Sequence, residues 1–355
     1  MTDLLLVCLG ATAGLRAADD ALAASLERAG ATVARVTAAP PREVRTLMAT
    51  DLRWALAARR AAVAGIAEHA PRAILYSTTT AALLWPRPGA IRFDALAADT
   101  RPGRHGSWQR PLEARRLARA GVLVPWTAEG AGGSIRSVAH GARTLVVPMP
   151  VSPSGPAAPV RDIAALTYGA NWRKKGLDRV LAAWAERRRP GHGDGAPSDG
   201  GAGADLVVAG VDRDHVADAW AAGGGAGPLP DSVRVTGPLA PAAYRALLRR
   251  ARVFVTAPRR EDYGIAQLEA LADGCVLVTS AAPGPYAALP LARALDPRLV
   301  VEDGADVGAL AAALRTASAG LDPGYAARAA AALTPFSPDA VDALVARELL
   351  PRLLA

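Results

Sequence analysis

Lysine is almost missing. Of the 41 basic residues in this chain of 355, only Lys174 and Lys175 are lysines, and they are neighbours. Arginine has replaced lysine everywhere else, as a GC-rich coding sequence would produce, so the pair marks a place where a compact ammonium is needed. Cysteine is just as scarce. Cys8 and Cys275 each lie in an apolar, strand-like run without metal-ligand spacing, which excludes a disulfide framework and a thiolate zinc site and reads as buried thiols in a reducing cytoplasm. Long apolar runs are also absent: nothing approaches the roughly 20 residues needed to span a bilayer. The opening "MTDLLLVCLGATAGL" imitates a secretory segment, but Asp3 occupies the place of a basic flank and Gly10 ends the run after about one strand. We read it as a first β-strand of a cytoplasmic protein, with attachment to the inner face of a membrane left open.

Charge is unevenly spread. Residues 1–150 contain 19 arginines and no lysine against 11 acidic residues, whereas residues 151–355 contain 22 of each sign, so the whole net charge of +8 belongs to the first half.

Strand-like and helix-like runs alternate through both halves, the rhythm of parallel sheets covered by helices. Strands are expected at 3–10, 31–37, 72–78, 90–94, 121–126 and 143–148, then at 164–169, 205–210, 232–237, 252–257, 275–280 and 298–302. The pattern predicts an α/β protein of two doubly wound, Rossmann-like domains facing each other across a cleft. The first domain covers 1–150, a proline-rich linker 151–162, the second domain 163–335, and a closing helix, interrupted near Pro351, 336–355. The glycine-rich tracts 189–204 and 221–231 read as mobile surface loops.

Two stretches carry chemistry. In "APRREDYGIAQLEALADG", Glu261 follows a strand and Glu269 sits in the helix after it, separated by seven residues. A fully helical path would place the two carboxylates about 12 Å apart along the axis. The helix start between them, with Gly264 allowing close approach, suits a diphosphate or sugar hydroxyls. In "LTYGANWRKKGLDRV", Arg173, Lys174 and Lys175 lie between a strand and the helix after it, where cations oppose the helix dipole unless an anion joins them.

The order of these elements, with "VVAG" and "VRVTGPL" between them, resembles the retaining GT-B glycosyltransferases of family 4. The match rests on Pro258, Glu261, Tyr263, Gly264, Ile265, Glu269, Ala270, Ala272 and Gly274 and covers residues 164–318. The first half matches in rhythm alone. The resemblance implies that Lys175, with Arg173 or Lys174, contacts a donor diphosphate and that Glu261 faces the transferred sugar. It implies that backbone around Tyr263, Gly264, Ile265 and Ala266 binds sugar hydroxyls or the distal phosphate, and that Glu269 takes the ribose. Gly237, Pro238 and Leu239 would meet the base. Gly10 and Gly14, in "GATAGL" after the first strand, would shape the opposite wall; read as a dinucleotide fingerprint the same stretch lacks an acidic residue at the end of the second strand, which disfavours an oxidoreductase. His105 is the candidate first-domain catalytic residue and Asp94 a comparable one. "DRD" at 212–214 imitates a metal-binding Asp-x-Asp, but the resemblance implies no metal and no cofactor beyond the nucleotide-sugar substrate.

Residues 101–119 carry six arginines with Trp108 against one acid, Glu113. This segment reads as a solvated face or as a patch for an anionic membrane surface or a lipid-linked diphosphate acceptor, and nucleic acid is disfavoured for lack of a binding module. Two functions stay open: transfer of a hexosyl unit from a nucleotide-sugar to a sugar, small-molecule or lipid-linked acceptor, an envelope polysaccharide precursor among them, or non-catalytic binding of a nucleotide-sugar or anion on the same fold.

Overall fold

The computed structural model describes residues 2–42, 44, 46–132, 143–156, 158–187, 205–320 and 323–355. The chain divides into two units, one of residues 1–150 with 335–355 and one of 151–334.

The first unit is built on strands β1 (Leu4–Cys8), β2 (Val33–Thr37), β3 (Ala73–Tyr76), β4 (Ala90–Phe93) and β5 (Leu123–Pro125), in the order β2-β1-β3-β4-β5. Every pairing is parallel, and β1 is buried along its length, as a strand covered on both faces must be. Alternate side chains serve the two faces: Leu5 and Val7 join a core with Ala58 and Ala62 of the helix Leu47–His69, while Leu4, Leu6 and Cys8 join another with Leu22 and Leu26 of the helix Ala13–Arg28. The expected sixth strand at 143–148 is reduced to one bridge, Leu123 with Thr144. Leu145 and Val147 still donate to the carbonyls of Leu123 and Pro125, at 2.9 and 3.0 Å, but Pro148 and Pro150 have no N–H to extend the ladder.

The second core of this unit is closed by the C-terminal segment, through Val341, Val345, Leu349 and Leu353. Asp342 holds it in place, accepting from Ser25 at 2.6 Å and from Arg28 at 2.6 and 2.8 Å. The helix does not break at Pro351. Pro338–Leu344 passes through a π-type turn, Val345–Leu349, into Leu350–Leu354, and the widened turn falls just before the proline that lacks a donor.

In the second unit β6 (Ile163–Tyr168), β7 (Leu206–Ala209), β8 (Val233–Gly237), β9 (Ala251–Thr256), β10 (Val276–Ser280) and β11 (Val300–Val301) form a parallel sheet in the order β11-β10-β9-β6-β7-β8. The chain runs outward from β6 in one direction and returns to its other side at β9, so the topological switch point lies between these two strands. Ligands of open α/β sheets bind at such a point, beyond the carboxyl ends of the strands. The proline-rich stretch after residue 150 is anchored to this unit: Ser154 donates its N–H and hydroxyl to Asp273 at 2.7 and 3.0 Å, and Arg245 donates to the Ser152 carbonyl at 2.8 Å. The tract 189–204 lies outside the described residues, whereas 221–231 is a turn that closes onto β8, Val233 donating to the Pro230 carbonyl at 2.9 Å.

The arginine-rich segment proves partly internal. Arg101 pairs with the largely buried Asp51 at 2.7 Å, Arg110 donates to the carbonyls of Arg101 and Gly103, and Arg116 donates to the Leu83 carbonyl at 2.8 Å while lying over the Trp85 ring. Glu113 is buried and accepts from the Ala97 N–H at 2.8 Å. Burial pushes its carboxyl up to about 7, against the Thr79 hydroxyl and the Ala97 N–H, which pull it down. The unfolded chain therefore releases this proton at lower pH than the folded one, and stability falls as pH rises from the usual carboxylate value to about 7, then levels off. Glu113→Gln should gain about 2 kcal/mol relative to the parent between pH 5 and pH 8. Urea unfolding at both pH values measures it, and an equal difference at the two would refute the burial cost.

Candidate functional site

Asn171 follows β6 and caps the short helix Trp172–Lys175, its side chain accepting from the Lys174 N–H at 3.0 Å. Gly176 ends that turn with a φ of +65°, and a Cβ there would lie 1.8 Å from the Ala257 carbonyl oxygen, so only glycine lets the basic turn press against the end of β9. The next helix, Leu177–Arg187, offers Asp178 in its first turn.

Arg259, beyond β9, fastens the two loops. Its N–H donates to the Lys174 carbonyl at 2.9 Å, and its guanidinium holds both oxygens of Asp178, at 2.7 and 2.6 Å, and the Arg173 carbonyl at 3.0 Å. Each lysine then finds a carboxylate: Lys174 Nζ lies 2.6 Å from Asp262 and Lys175 Nζ 2.6 Å from Glu261. Glu261 is only 4% exposed and also accepts from Gln267 at 3.2 Å. Arg260 joins Asp262 at 2.7 Å. Burial alone would raise the Asp262 carboxyl, but Lys174 and then Arg260 hold it below the usual range. Within residues 170–178 and 257–265, five cations meet three carboxylates, so the cluster keeps a positive surplus. The buried Arg260 Nη2 finds no hydrogen-bond partner among the described residues.

The helix Ile265–Ala272 starts beside this cluster, with Gly264 before it at a φ of +91° and no capping side chain. Its first N–H groups lack intrahelical acceptors and give that end a partial positive charge. The space that glycine frees at 264 is occupied by the ring of Tyr286, 2.7 Å from where a Cβ would stand, so the backbone there is packed from that side by protein and not by a ligand. Tyr286 is fixed by its hydroxyl contact with Thr279 at 2.7 Å.

Only Ile265 to Glu269 is helical between the glutamates, which gives about 6 Å of axial rise and not 12, because residues 261–264 turn out of helical geometry. Glu269 faces Arg245 at 3.4 Å, a residue also bound to Asp273 at 2.6 Å. Burial lifts its carboxyl above the usual range against the pull of Arg245. Tyr168 and Tyr244, their rings 5.1 Å apart, have phenols raised first by burial and then by the charge of Glu269.

The Trp172–Lys175 turn also walls a pocket of 430 Å³ that draws Trp172 and Arg173 together with Gly210 and Asp212 beyond β7, His215 of the helix Arg213–Ala222 and Pro238 beyond β8. Arg173 lies over the Trp172 ring. Gly237 closes β8, its carbonyl accepting from the Gly210 N–H at 2.9 Å, and Leu239 is half-buried beyond Pro238. Asp212 and Asp214 are exposed at the start of the helix Arg213–Ala222. Among the described residues, no three His, Cys, Asp or Glu side chains converge as a metal-ligand set.

The structure thus brings Lys174, Lys175, Glu261, Tyr263, Gly264, Ile265 and Ala266 to one place, with Glu269 one turn on and Arg173 and Pro238 in the neighbouring pocket. The first-half candidates lie in the other unit. Gly10 follows β1 with its carbonyl held by Arg16 at 2.8 Å, Gly14 is in the first turn of the next helix, His105 is exposed on the turn Gly103–Gly106, and Asp94 accepts from the Ala95 N–H. Both thiols are free and buried, pushed up to about 12 by burial. Asp262, Arg259, Asp178, Arg245 and Tyr286 went unnoticed in the sequence; the run "PRRED", two cations against two acids, was the available signal for the first two.

Residues 163–319 match the family Glycosyl transferases group 1, a stretch that contains the whole cluster and supports a role in glycosyl transfer. No curated protein sequence matches the chain. Among solved structures, the chain is similar to sucrose-phosphate synthase from Thermosynechococcus elongatus, with 17% identity, 99% of this chain and 100% of that one covered, and a TM-score of 0.70. It is similar to WaaG, a glycosyltransferase involved in lipopolysaccharide biosynthesis, at 15%, with 100% and 97% covered and a TM-score of 0.66. It is also similar to Anabaena HepE in complex with UDP and glucose, at 14%, with 98% and 99% covered and a TM-score of 0.67. At these identities the likeness establishes the fold: two parallel-sheet α/β units, as in GT-B glycosyltransferases.

Proposed function

We propose that this protein is a retaining glycosyltransferase of GT-B family 4. It moves a hexosyl unit from a nucleoside-diphosphate sugar to an acceptor such as a lipid-linked or envelope polysaccharide precursor, without a metal ion. The observation that carries this reading is the joining of a cationic turn to the two-glutamate helix at the switch point of the second sheet, inside the stretch that matches the family. HepE, which shares the fold, is described in complex with UDP and glucose, which supports a nucleotide-sugar as the donor.

The second unit is the donor-binding one in this reading. The positive surplus of the cluster, the unpartnered Arg260 Nη2 and the open helix end at Ile265 and Ala266 suit a diphosphate, with Lys175, Lys174 and Arg173 as its cations. The pocket beside Pro238 suits the base. When the bond from the anomeric carbon to the diphosphate oxygen breaks, charge grows on that oxygen, and cations already in place stabilise it without reorganisation. The acceptor oxygen bonds to the anomeric carbon on the same face and its proton passes to the departing phosphate. Glu261 lies on the sugar side; Glu269 takes the ribose hydroxyls. The first unit holds the acceptor, with His105 on its exposed turn, while Gly10 after β1 and Gly14 in the first turn of the next helix shape the wall that approaches the donor.

Glu269→Gln tests the division of labour between the glutamates. Arg245 keeps Asp273 and the Ser152 carbonyl as partners, so the fold should stand. A hydrogen bond to a charged group contributes about 1.5 to 3 kcal/mol, and the variant should bind a nucleoside diphosphate and its sugar conjugate roughly tenfold to a hundredfold more weakly, both to the same degree. Calorimetry that finds the diphosphate affinity unchanged removes Glu269 from the ribose.

A second reading, a non-catalytic binder of nucleotide-sugars or anions, draws on the fact that Lys175 and Glu261 already satisfy each other. Incubation with a panel of nucleotide-sugars separates the two: slow donor hydrolysis or transfer marks the enzyme, whereas thermal stabilisation without any turnover marks the binder.

A further inference from the structure

Asp212 is the one carboxylate among the described residues lining the 430 Å³ pocket beside Pro238. It stands at the N-cap of the helix Arg213–Ala222 in extended backbone geometry, from which an aspartate ordinarily accepts from the first N–H groups of its helix, yet its side chain makes no capping bond. The exposed carboxylate is therefore left to the pocket. Its position is costly for the ligand proposed there. A nucleoside diphosphate is an anion, and a further negative charge beside it weakens binding unless the ligand answers with hydrogen-bond donors. The ribose hydroxyls are assigned to Glu269, so the donors belong to the base. Trp172 presents an aromatic ring to the pocket, with Arg173 4.7 Å from its centroid, and stacking on such a ring serves every base alike. Asn171 has its side-chain oxygen committed to the Lys174 N–H at 3.0 Å. Choice among bases then falls to Asp212 and to His215, which lines the same pocket from the first turn of the helix.

We propose that Asp212 selects guanine and that the donor is a guanosine-diphosphate sugar, given the reading above that this pocket takes the base. An ionised carboxylate has two acceptor oxygens and no donor. Guanine alone among the common bases sets two donors side by side on its Watson–Crick edge, N1–H and the N2 amino group, and so meets both oxygens at once in a charge-assisted, bidentate pair. Uracil sets its N3–H between the O2 and O4 carbonyls, which repel a carboxylate from both sides. Adenine and cytosine each place a ring-nitrogen acceptor beside a single amino group, so one carboxylate oxygen is satisfied and the other opposed. The ring N–H of His215 suits the remaining edge atom of guanine, the O6 carbonyl. HepE, described in complex with UDP, shares the fold at 14% identity, which leaves the base to local residues such as these.

Calorimetry with the diphosphates of guanosine, inosine, uridine and adenosine tests it. The wild type should bind guanosine diphosphate about tenfold or more tightly than the uridine and adenosine forms, because a site built for two donors leaves its acceptors unpaired with either of them. Inosine diphosphate differs from the guanosine form only in lacking the N2 amino group, and should bind about tenfold more weakly. Asp212→Ala, an exposed change that breaks no capping bond, should lose about tenfold to a hundredfold in guanosine diphosphate affinity and bind the guanosine and inosine forms alike. Its affinity for uridine diphosphate should hold or rise, since a repelling charge has gone. A wild type that prefers uridine or adenosine diphosphate, or that does not distinguish guanosine from inosine, overturns the assignment and leaves the donor reading standing. So does a guanine preference that survives Asp212→Ala. A protein that binds none of the four diphosphates fails both readings. Should the variant not fold, the comparison of guanosine with inosine in the wild type decides alone.

Discussion

Lys175→Ala is expected to lose about a hundredfold in turnover of its nucleotide-sugar and to unfold more easily than the parent. The first effect follows from removing a fixed cation from a leaving group on which charge develops, about 3 kcal/mol of transition-state stabilisation. The second follows from the pairing with Glu261. That carboxylate is buried, and once its ammonium partner 2.6 Å away is gone, only Gln267 among the described residues still donates to it. Stripping one member from a buried pair costs about 3 kcal/mol, because the remaining charge is uncompensated. A second substitution separates the two losses: adding Glu261→Gln to Lys175→Ala should recover most of the melting temperature and none of the turnover. Wild-type turnover in Lys175→Ala would remove the residue from the proposed mechanism, and an unchanged melt would show that Glu261 does not depend on it.

Glu261→Gln alone should give the reverse signature for ligand binding. Turnover is expected to fall by about a hundredfold or more, since the group that the proposed mechanism sets nearest the transferred sugar has lost its charge. Nucleoside diphosphate affinity should hold or improve, because Lys175 is no longer neutralised and its full charge is available to the phosphates. Parallel measurement of kcat and of diphosphate affinity by calorimetry decides the matter. If both fall together, Glu261 serves the nucleotide and the roles assigned to the two glutamates are exchanged.

The strands were the most legible part of the sequence, because parallel strands covered on both faces are unbroken apolar runs such as "LLLVC" and "RVFVT" that few other structures explain. The run 143–148 has the same composition and yet forms one bridge, since the prolines at 148 and 150 govern what the backbone can donate. At the site, the two glutamates and the two lysines were legible from their order along the chain. What could not be read was that each is answered by a residue of opposite charge. Lys175 and Glu261 stand 86 positions apart, and Arg245 and Glu269 are joined only because one helix is laid against another. Pairing of this kind is a property of strand order, in which β6 and β9 become neighbours, and no local pattern announces it. The arginines of 101–119 failed in the opposite sense: as a composition they suggested one exposed patch, but Arg116 is half-buried because a ring and a carbonyl lie within its reach.

The return of residues 335–355 to the first unit imposes an order of assembly. The second unit is one continuous stretch and holds everything its own sheet needs by residue 334, whereas the first cannot seal the core around Leu4 and Leu6 until Val345, Leu349 and Leu353 have been made. During synthesis the half translated first is therefore the half completed last, with the core beside β1 left open where Val345, Leu349 and Leu353 will pack while more than 180 residues are added. Closing that circuit joins the two ends of one sheet-and-helix layer across an intervening domain, a loop closure of high entropic cost that is repaid only when the final helix docks.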